Sequence, residues 1–427
     1  MRILLISGSP PYPPHIGGNQ LAAHLLRALS LQGEVDLFLA LEPDDLPPPH
    51  IEKIRSEWNL IGMAGPSPRG RLGRWRRFRP LHPGTVDRLA DLFASRQRDY
   101  TVDLRWSEVL RRAMARQVYD VVVAGGLPLA MKSGLPPDYP IVLNVNDVER
   151  EWFESQVHSP ATPLIAKFLA WWRLHQVQDT IPDLYRRFRH CWVIKDPDKR
   201  IEGLEHAVWL GVPFTQSRQG WPSPAASLPA SRVVIMLGSY YHRPNAEGLD
   251  WFVRRVWGKV KANVPDAEFR IIGPGLPVHK VRQYGCRLGI RILGTVPDVA
   301  PHYRCCALAI APIWMGAGIN LKVMDAYAHG RACVATPFAY RGYEDCLEQG
   351  RSIRVAGNPE EFASACIELL REPAHRDQLA AEGQARILEH FSFERFSRVA
   401  GETCSEAIRT ATKSGSHACE NNITNGG

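Results

Sequence analysis

Apolar residues along this chain follow two patterns that alternate. Short unbroken apolar runs are separated by longer stretches in which apolar residues return every three to four positions. In the first half the runs are RILLI (2–6), VDLFLAL (35–41), YDVVVAG (119–125), PIVLNVND (140–147), HCWVIK (190–195) and AVWLG (207–211). Continuous runs predict strands buried on both faces, as in a parallel sheet. After the loop SGSPPYPPHIGG, Leu21, Leu25, Leu26 and Leu29 recur at helical spacing. Strand, helix and strand at this length predict a right-handed βαβ unit. Residues 43–112 are less regular, with a proline cluster, an arginine-rich run and the start of a helix expected over 84–116. A long helical stretch is expected over 148–189.

The second half repeats the pattern. VVIMLGS (233–239) is a predicted strand, and Leu249, Phe252, Val256, Val260 and Val264 mark one face of the following helix. EFRIIG, IRILGTV, ALAIAPI, ACVATP and SIRVAG are five further predicted strands with helices between most of them, and residues 374–411 read as helical. Residues 212–232, rich in Pro, Ser and Ala, read as a linker. The expectation is an α/β chain of two Rossmann-like domains in tandem. Residues 1–211 form the first and 233–395 the second, followed by a C-terminal helix at 396–412 and a disordered tail at 413–427. Such sheets bind ligands beyond the carboxyl ends of their strands, and two of them facing each other make an interdomain cleft.

The 427 residues are 45% apolar and 22% charged. That excludes a wholly disordered or collagenous chain. No apolar run is long enough to span a bilayer. The first residues, MRILLISGSPPYPP, lack the apolar core and cleavage site of a secretory signal and read as a first strand. A cytoplasmic location is expected. Nine cysteines without C-x-x-C or zinc spacing read as small core hydrophobes, so no metal or cofactor is expected. The net charge of +8 is concentrated in RGRLGRWRRFR, where Arg69, Arg71, Arg74, Arg76, Arg77 and Arg79 have no acid between them. This run is either a solvated loop or a patch for an anionic surface, such as the inner face of a membrane. No nucleic-acid motif accompanies it, so no nucleic-acid partner is expected. Trp171 and Trp172, beside Phe168 and Leu169, are either core or an apolar face for an acceptor or membrane. Asp196-Pro197-Asp198 reads as a cap and turn.

The densest chemical signal is APIWMGAGINLKVMDAYAHGRACVATP (311–337). A strand ends, a glycine-rich turn follows, and a helix begins near Asn320. Gly316 and Gly318 allow backbone N–H groups to approach an anion, and the helix start adds free donors and a positive dipole. Lys322 adds charge in the first turn. Asp325, three residues on, shares its face, where a carboxylate can accept hydrogen bonds from ribose hydroxyls. The plain alternative is a strand-to-helix turn with a solvated Asp–Lys pair.

The order of these motifs resembles the donor-binding domain of GT-B-fold glycosyltransferases, specifically the retaining enzymes of glycosyltransferase family 4. The resemblance extends through Ala328, Gly330, Val334, Ala335 and Thr336, with Cys333 in place of a valine. It also takes in LGSYYHRPNAEGLDWF (237–252), FRIIGPG (269–275), LGTVPDVAPHYRCCALAIAP (293–312) and EGQARILEHFSFERF (382–396). It implies that Asp325 holds the ribose. Gly318, Ile319 and Asn320 would face the diphosphate and donor sugar, Lys322 and Arg243 would supply phosphate charge, and Val296 would face the base. The first acid of the family's paired motif would fall at Ala317 and is missing. Gly17 and Gly18 are either a structural turn or, by the resemblance, the loop that meets donor and acceptor. Asp147, after its strand, is either a helix cap or a catalytic contact to the reacting sugar. The implied function is retaining, metal-independent transfer of a sugar from a nucleotide sugar to a saccharide or lipid-linked acceptor, in polysaccharide or glycolipid assembly. The alternative, motivated by Ala317, is a non-catalytic nucleotide-sugar-binding or scaffold protein of the same fold. An NAD-dependent oxidoreductase is disfavoured, because the first loop lacks G-x-G-x-x-G and its prolines carry no N–H.

Overall fold

The computed structural model describes residues 1–13, 17–66, 100–136, 139–160, 162–214 and 231–423, with 413–423 as backbone only. The arginine run 69–79, His15, most of the linker 212–232 and the last four residues therefore lie outside the described residues. The chain divides into two compact units. One comprises Met1–Phe153, Phe168–Gly211 and Phe396–Gly427, and the other Glu154–Lys167 and Val212–Arg395.

The first unit holds a seven-stranded sheet. Its strands are β1 (Arg2–Ser7), β2 (Glu34–Leu39), β3 (Asn59–Met63), β4 (Val121–Ala124), β5 (Ile141–Val145), β6 (His190–Val193) and β7 (Val208–Trp209), in the order β3-β2-β1-β4-β5-β6-β7. Every pairing is parallel. The central strands read as continuous apolar runs because helices cover both faces, and β4 and β5 are buried at every position. β3 falls in the stretch read as irregular: NLIGM lies at the sheet edge, half-buried or exposed throughout, so its apolar signal is weak. The expected helix 148–189 is three helices, Glu149–His158, Leu164–Val177 and Ile181–Arg186. Pro160, Pro163 and Pro182 account for the breaks, since proline interrupts the helical ladder and favours a new first turn.

The second unit holds a six-stranded parallel sheet. Its strands are β8 (Val233–Leu237), β9 (Glu268–Ile272), β10 (Ile290–Gly294), β11 (Leu308–Ala311), β12 (Ala332–Ala335) and β13 (Arg354–Val355), in the order β10-β9-β8-β11-β12-β13. Leu249, Phe252, Val256, Val260 and Val264 are all buried as expected. The helix Arg243–Trp251 passes through a π segment, Phe252–Val256, into Trp257–Asn263. The wider π turn brings Val253 and Trp257 into the core as well. Cys191, Cys306, Cys333, Cys346, Cys366 and Cys404 are buried, whereas Cys286 and Cys305 are exposed, so the core reading fails for those two. The stretch expected as one helix over 374–411 is two, Pro373–His390 and Phe393–Ile423.

In both sheets strand order reverses between the first strand and the fourth: β1 beside β4, and β8 beside β11. At such a reversal the outgoing connections run to opposite sides and leave a crevice at the carboxyl edge. The fold thus marks β8 and β11 as the place to look for a site in the second unit.

Candidate functional site at the carboxyl ends of β8 and β11

The loop 312–320 leaves β11 and ends at Asn320, the N-cap of the helix Leu321–Ala328. Asn320 Oδ1 accepts the Lys322 N–H at 3.3 Å, and its carbonyl accepts the buried Tyr343 hydroxyl at 2.9 Å. Gly316 has φ +148°, a backbone conformation that strains any residue with a Cβ. Its N–H donates to Ser155 Oγ at 3.0 Å. Gly318, Ile319 and Asn320 keep part of their surface open, while Ala317 is buried. The far end of the loop is pinned by Thr336, whose hydroxyl donates to the Ile313 carbonyl and accepts the Ala339 N–H.

Lys322 points toward the end of β8. Its ammonium donates to Asn245 Oδ1 at 2.7 Å, and Asn245 Nδ2 donates to the Ser239 carbonyl at 2.9 Å. Protein surrounds Lys322 so closely that burial lowers its pKa to about 8, against the opposing pull of Asp325. The Asp325 carboxylate makes neither a hydrogen bond nor an ion pair among the described residues. Burial raises its pKa to about 6, with the Lys322 charge acting the other way. Both groups retain some exposure. An ammonium with one neutral partner and a carboxylate with none, each held against its solvation, are primed for a ligand carrying both an anion and hydroxyls. His242, just before the next helix, has its pKa lowered by burial and then by Lys322, so it adds no charge at neutral pH.

Close backbone packing opens the floor of this region. Gly273 has φ +125°, and a Cβ there would sit 2.0 Å from the Gly238 carbonyl oxygen. A Cβ on Gly238 would meet Asn245 Nδ2 at 2.9 Å and Lys322 Cε at 3.2 Å. Glycine at both positions is what allows the ends of β8 and β9 to close on the Lys322–Asn245 pair.

The other expected residues are placed as follows. Arg243 is engaged on both sides: Nε donates to Glu247 Oε1 at 2.5 Å and Nη1 to Gln156 Oε1 at 3.1 Å. Val296 follows the edge strand β10, two strands from β8, and is half-buried. In the first unit, Gly17 and Gly18 open the helix Gly17–Ser30, and a Cβ on Gly18 would lie 2.8 Å from Ser9 Oγ. Asp147 is exposed, two residues ahead of the helix Glu149–His158. The Asp196-Pro197-Asp198 carboxylates turn to different lysines, Asp196 to Lys199 at 2.6 Å and Asp198 to the buried Lys195 at 3.1 Å. Among the described residues no three His, Cys, Asp or Glu side chains gather as metal ligands do.

Residue reading missed Ser155, Gln156, Asn245 and Tyr343. Asn245 stood inside the quoted segment LGSYYHRPNAEGLDWF, but nothing local says that it meets a lysine 77 residues away. Ser155 lies 161 residues from Gly316.

A parallel sheet reversing at β8 and β11, a two-glycine turn and a helix bearing Lys322 and Asp325 define a class. Residues 231–372 match the family model for glycosyl transferases group 1, Glyco_trans_1_4. The fold as a whole is the GT-B fold, with two Rossmann-like domains. Sucrose-phosphate synthase from Thermosynechococcus elongatus is 14% identical with a TM-score of 0.65, the match covering 96% of this chain and 99% of that one. HepE of Anabaena, solved in complex with UDP and glucose, is 13% identical with a TM-score of 0.59, covering 95% of this chain and 100% of its own. A glycosyltransferase from Rickettsia africae is 9% identical with a TM-score of 0.58, covering 95% and 98%. No curated protein matches the chain by sequence.

Proposed function

We propose that the protein is a retaining glycosyltransferase that moves a sugar from a nucleotide sugar to a saccharide or lipid-linked acceptor, in polysaccharide or glycolipid assembly. The observation that carries this reading is the Lys322–Asp325 pair behind the glycine loop, within the residues that match the group 1 glycosyl transferase model. HepE, of the same fold, takes UDP and glucose, so uridine nucleotides are the first donors to try.

The chemistry to be done is departure of a nucleoside diphosphate from the anomeric carbon. Charge builds on the diphosphate and on an oxocarbenium-like sugar. In this proposal the Gly316–Gly318 amides and the start of the helix Leu321–Ala328 receive the diphosphate, and Lys322 neutralises the charge that develops on it. Asp325 accepts the ribose hydroxyls, and Val296 flanks the base. Lys322 and the helix dipole can stabilise the leaving group without a bound metal. Arg243 serves mainly to hold Glu247 and Gln156, and reaches a phosphate only by exchanging one of them. Gly17 and Gly18 belong to the loop that meets donor and acceptor, and Asp147 is the polar contact to the reacting sugar.

The test is acceptor-dependent release of UDP from UDP-sugars, with the anomeric configuration of the product read by NMR. Release with retention, lost in Asp325→Ala, is expected. Donor binding without release under any acceptor would replace this reading with the non-catalytic one that Ala317 motivates.

A further inference from the structure

The helix Leu164–Val177 carries an exposed apolar ridge. Leu164, Ile165, Phe168, Trp171 and Trp172 are 83%, 79%, 60%, 43% and 49% exposed. Their spacing places all five on one stripe of the helix, while Ala170 is buried on the other side. Phe168 and Trp171 stack with ring centroids 6.0 Å apart, so the surface is continuous. Single exposed apolar residues need no explanation, but a contiguous aromatic and aliphatic ridge does.

Charge says what covers it. From Ser155 to Gln178 the chain has no Asp or Glu, but it has Lys167 and Arg173, and the whole protein carries +8. A convex ridge with two tryptophans and basic flanks suits the boundary between lipid head groups and acyl chains, where indole rings concentrate. No described helix is long and apolar enough to cross a membrane. We propose that this ridge docks the protein on anionic lipid surfaces, the helix lying in the plane of the head groups. The inference does not depend on the sugar-transfer reading, although it would bring the protein to acceptors carried on lipid.

The experiment is co-sedimentation of the full chain with vesicles of phosphatidylcholine alone or mixed equally with phosphatidylglycerol. Three proteins are compared: wild type, Trp171→Ser/Trp172→Ser, and Leu164→Ser/Ile165→Ser. Wild type is expected to pellet with the anionic vesicles and less so in high salt. Each double variant, unfolding at the wild-type temperature, should partition about tenfold less. Absence of vesicle binding overturns the proposal, as does binding that both variants retain. Light scattering that finds a wild-type dimer turned monomeric by either variant also overturns it, because the ridge would then be an interface between copies.

Discussion

Lys322 and Asp325 sit three residues apart on one helix face, yet burial moves their pKa values toward each other, to about 8 and about 6. The carboxylate accepts hydrogen bonds strongly only when ionised, above about 6, and the lysine carries its charge only below about 8. Affinity for a nucleotide sugar should therefore rise as pH passes about 6 and fall as it passes about 8. Titration calorimetry across this range checks it. Asp325→Asn should remove the acid limb and Lys322→Met the alkaline limb; two unchanged limbs in both variants would contradict the assignment. Hydrogen bonds to a charged group are worth about 1.5–3 kcal/mol, so Asp325→Ala should weaken donor binding by roughly 10- to 100-fold. The sequence pointed to this pair because both members lie on one short helix. It gave no access to their environment, since Asn245 and Ser155 reach the site through the fold and not through spacing.

At the level of elements, two connections shape the site. The helix Glu149–His158 presents Ser155 to the Gly316 N–H and Gln156 to Arg243. Ser155→Ala leaves that amide without its partner and frees the glycine turn, which costs about 1–3 kcal/mol. Steady-state kinetics should show donor KM raised about tenfold or more, with Ser155→Thr restoring it. A shift in kcat alone would argue against a role in shaping the donor loop. The second connection is the close passage of β8 and β9 at Gly238 and Gly273. Gly273→Ala combines a strained φ with a clash against a carbonyl and should lower the thermal transition by several degrees. Gly258→Ala is the control: its Cβ would meet nothing within 4 Å in the helix Trp257–Asn263, so it should stabilise slightly. Strands with both faces covered were legible as unbroken apolar runs. β3 has a weak apolar signal because an edge strand shows water one side, and Pro160, Pro163 and Pro182 divide the apolar stretch 148–189 into three helices.

For the whole molecule, the tandem of parallel sheets was legible from alternation alone, because only helices packed on both faces turn strands into continuous apolar runs. The exposed cysteines, Cys286 and Cys305, show the limit of that logic. Cys286 follows the short helix Val278–Gly285 and Cys305 ends the short helix Ala300–Cys305; both helices have few apolar residues, and apolar neighbours in sequence did not become neighbours in space. What the molecule does depends on whether the second unit holds a nucleoside diphosphate through Asp325. Thermal unfolding with UDP, GDP and ADP, each against wild type and Asp325→Ala, and with NADH as control, tests this most directly. A ligand at a hundred times its Kd stabilises by about 2.7 kcal/mol, a shift of several degrees for a protein of this size. One nucleoside diphosphate, UDP first, should give such a shift, and Asp325→Ala should cut it to about half or less. No shift with any diphosphate, or one that survives the substitution unchanged, would contradict it.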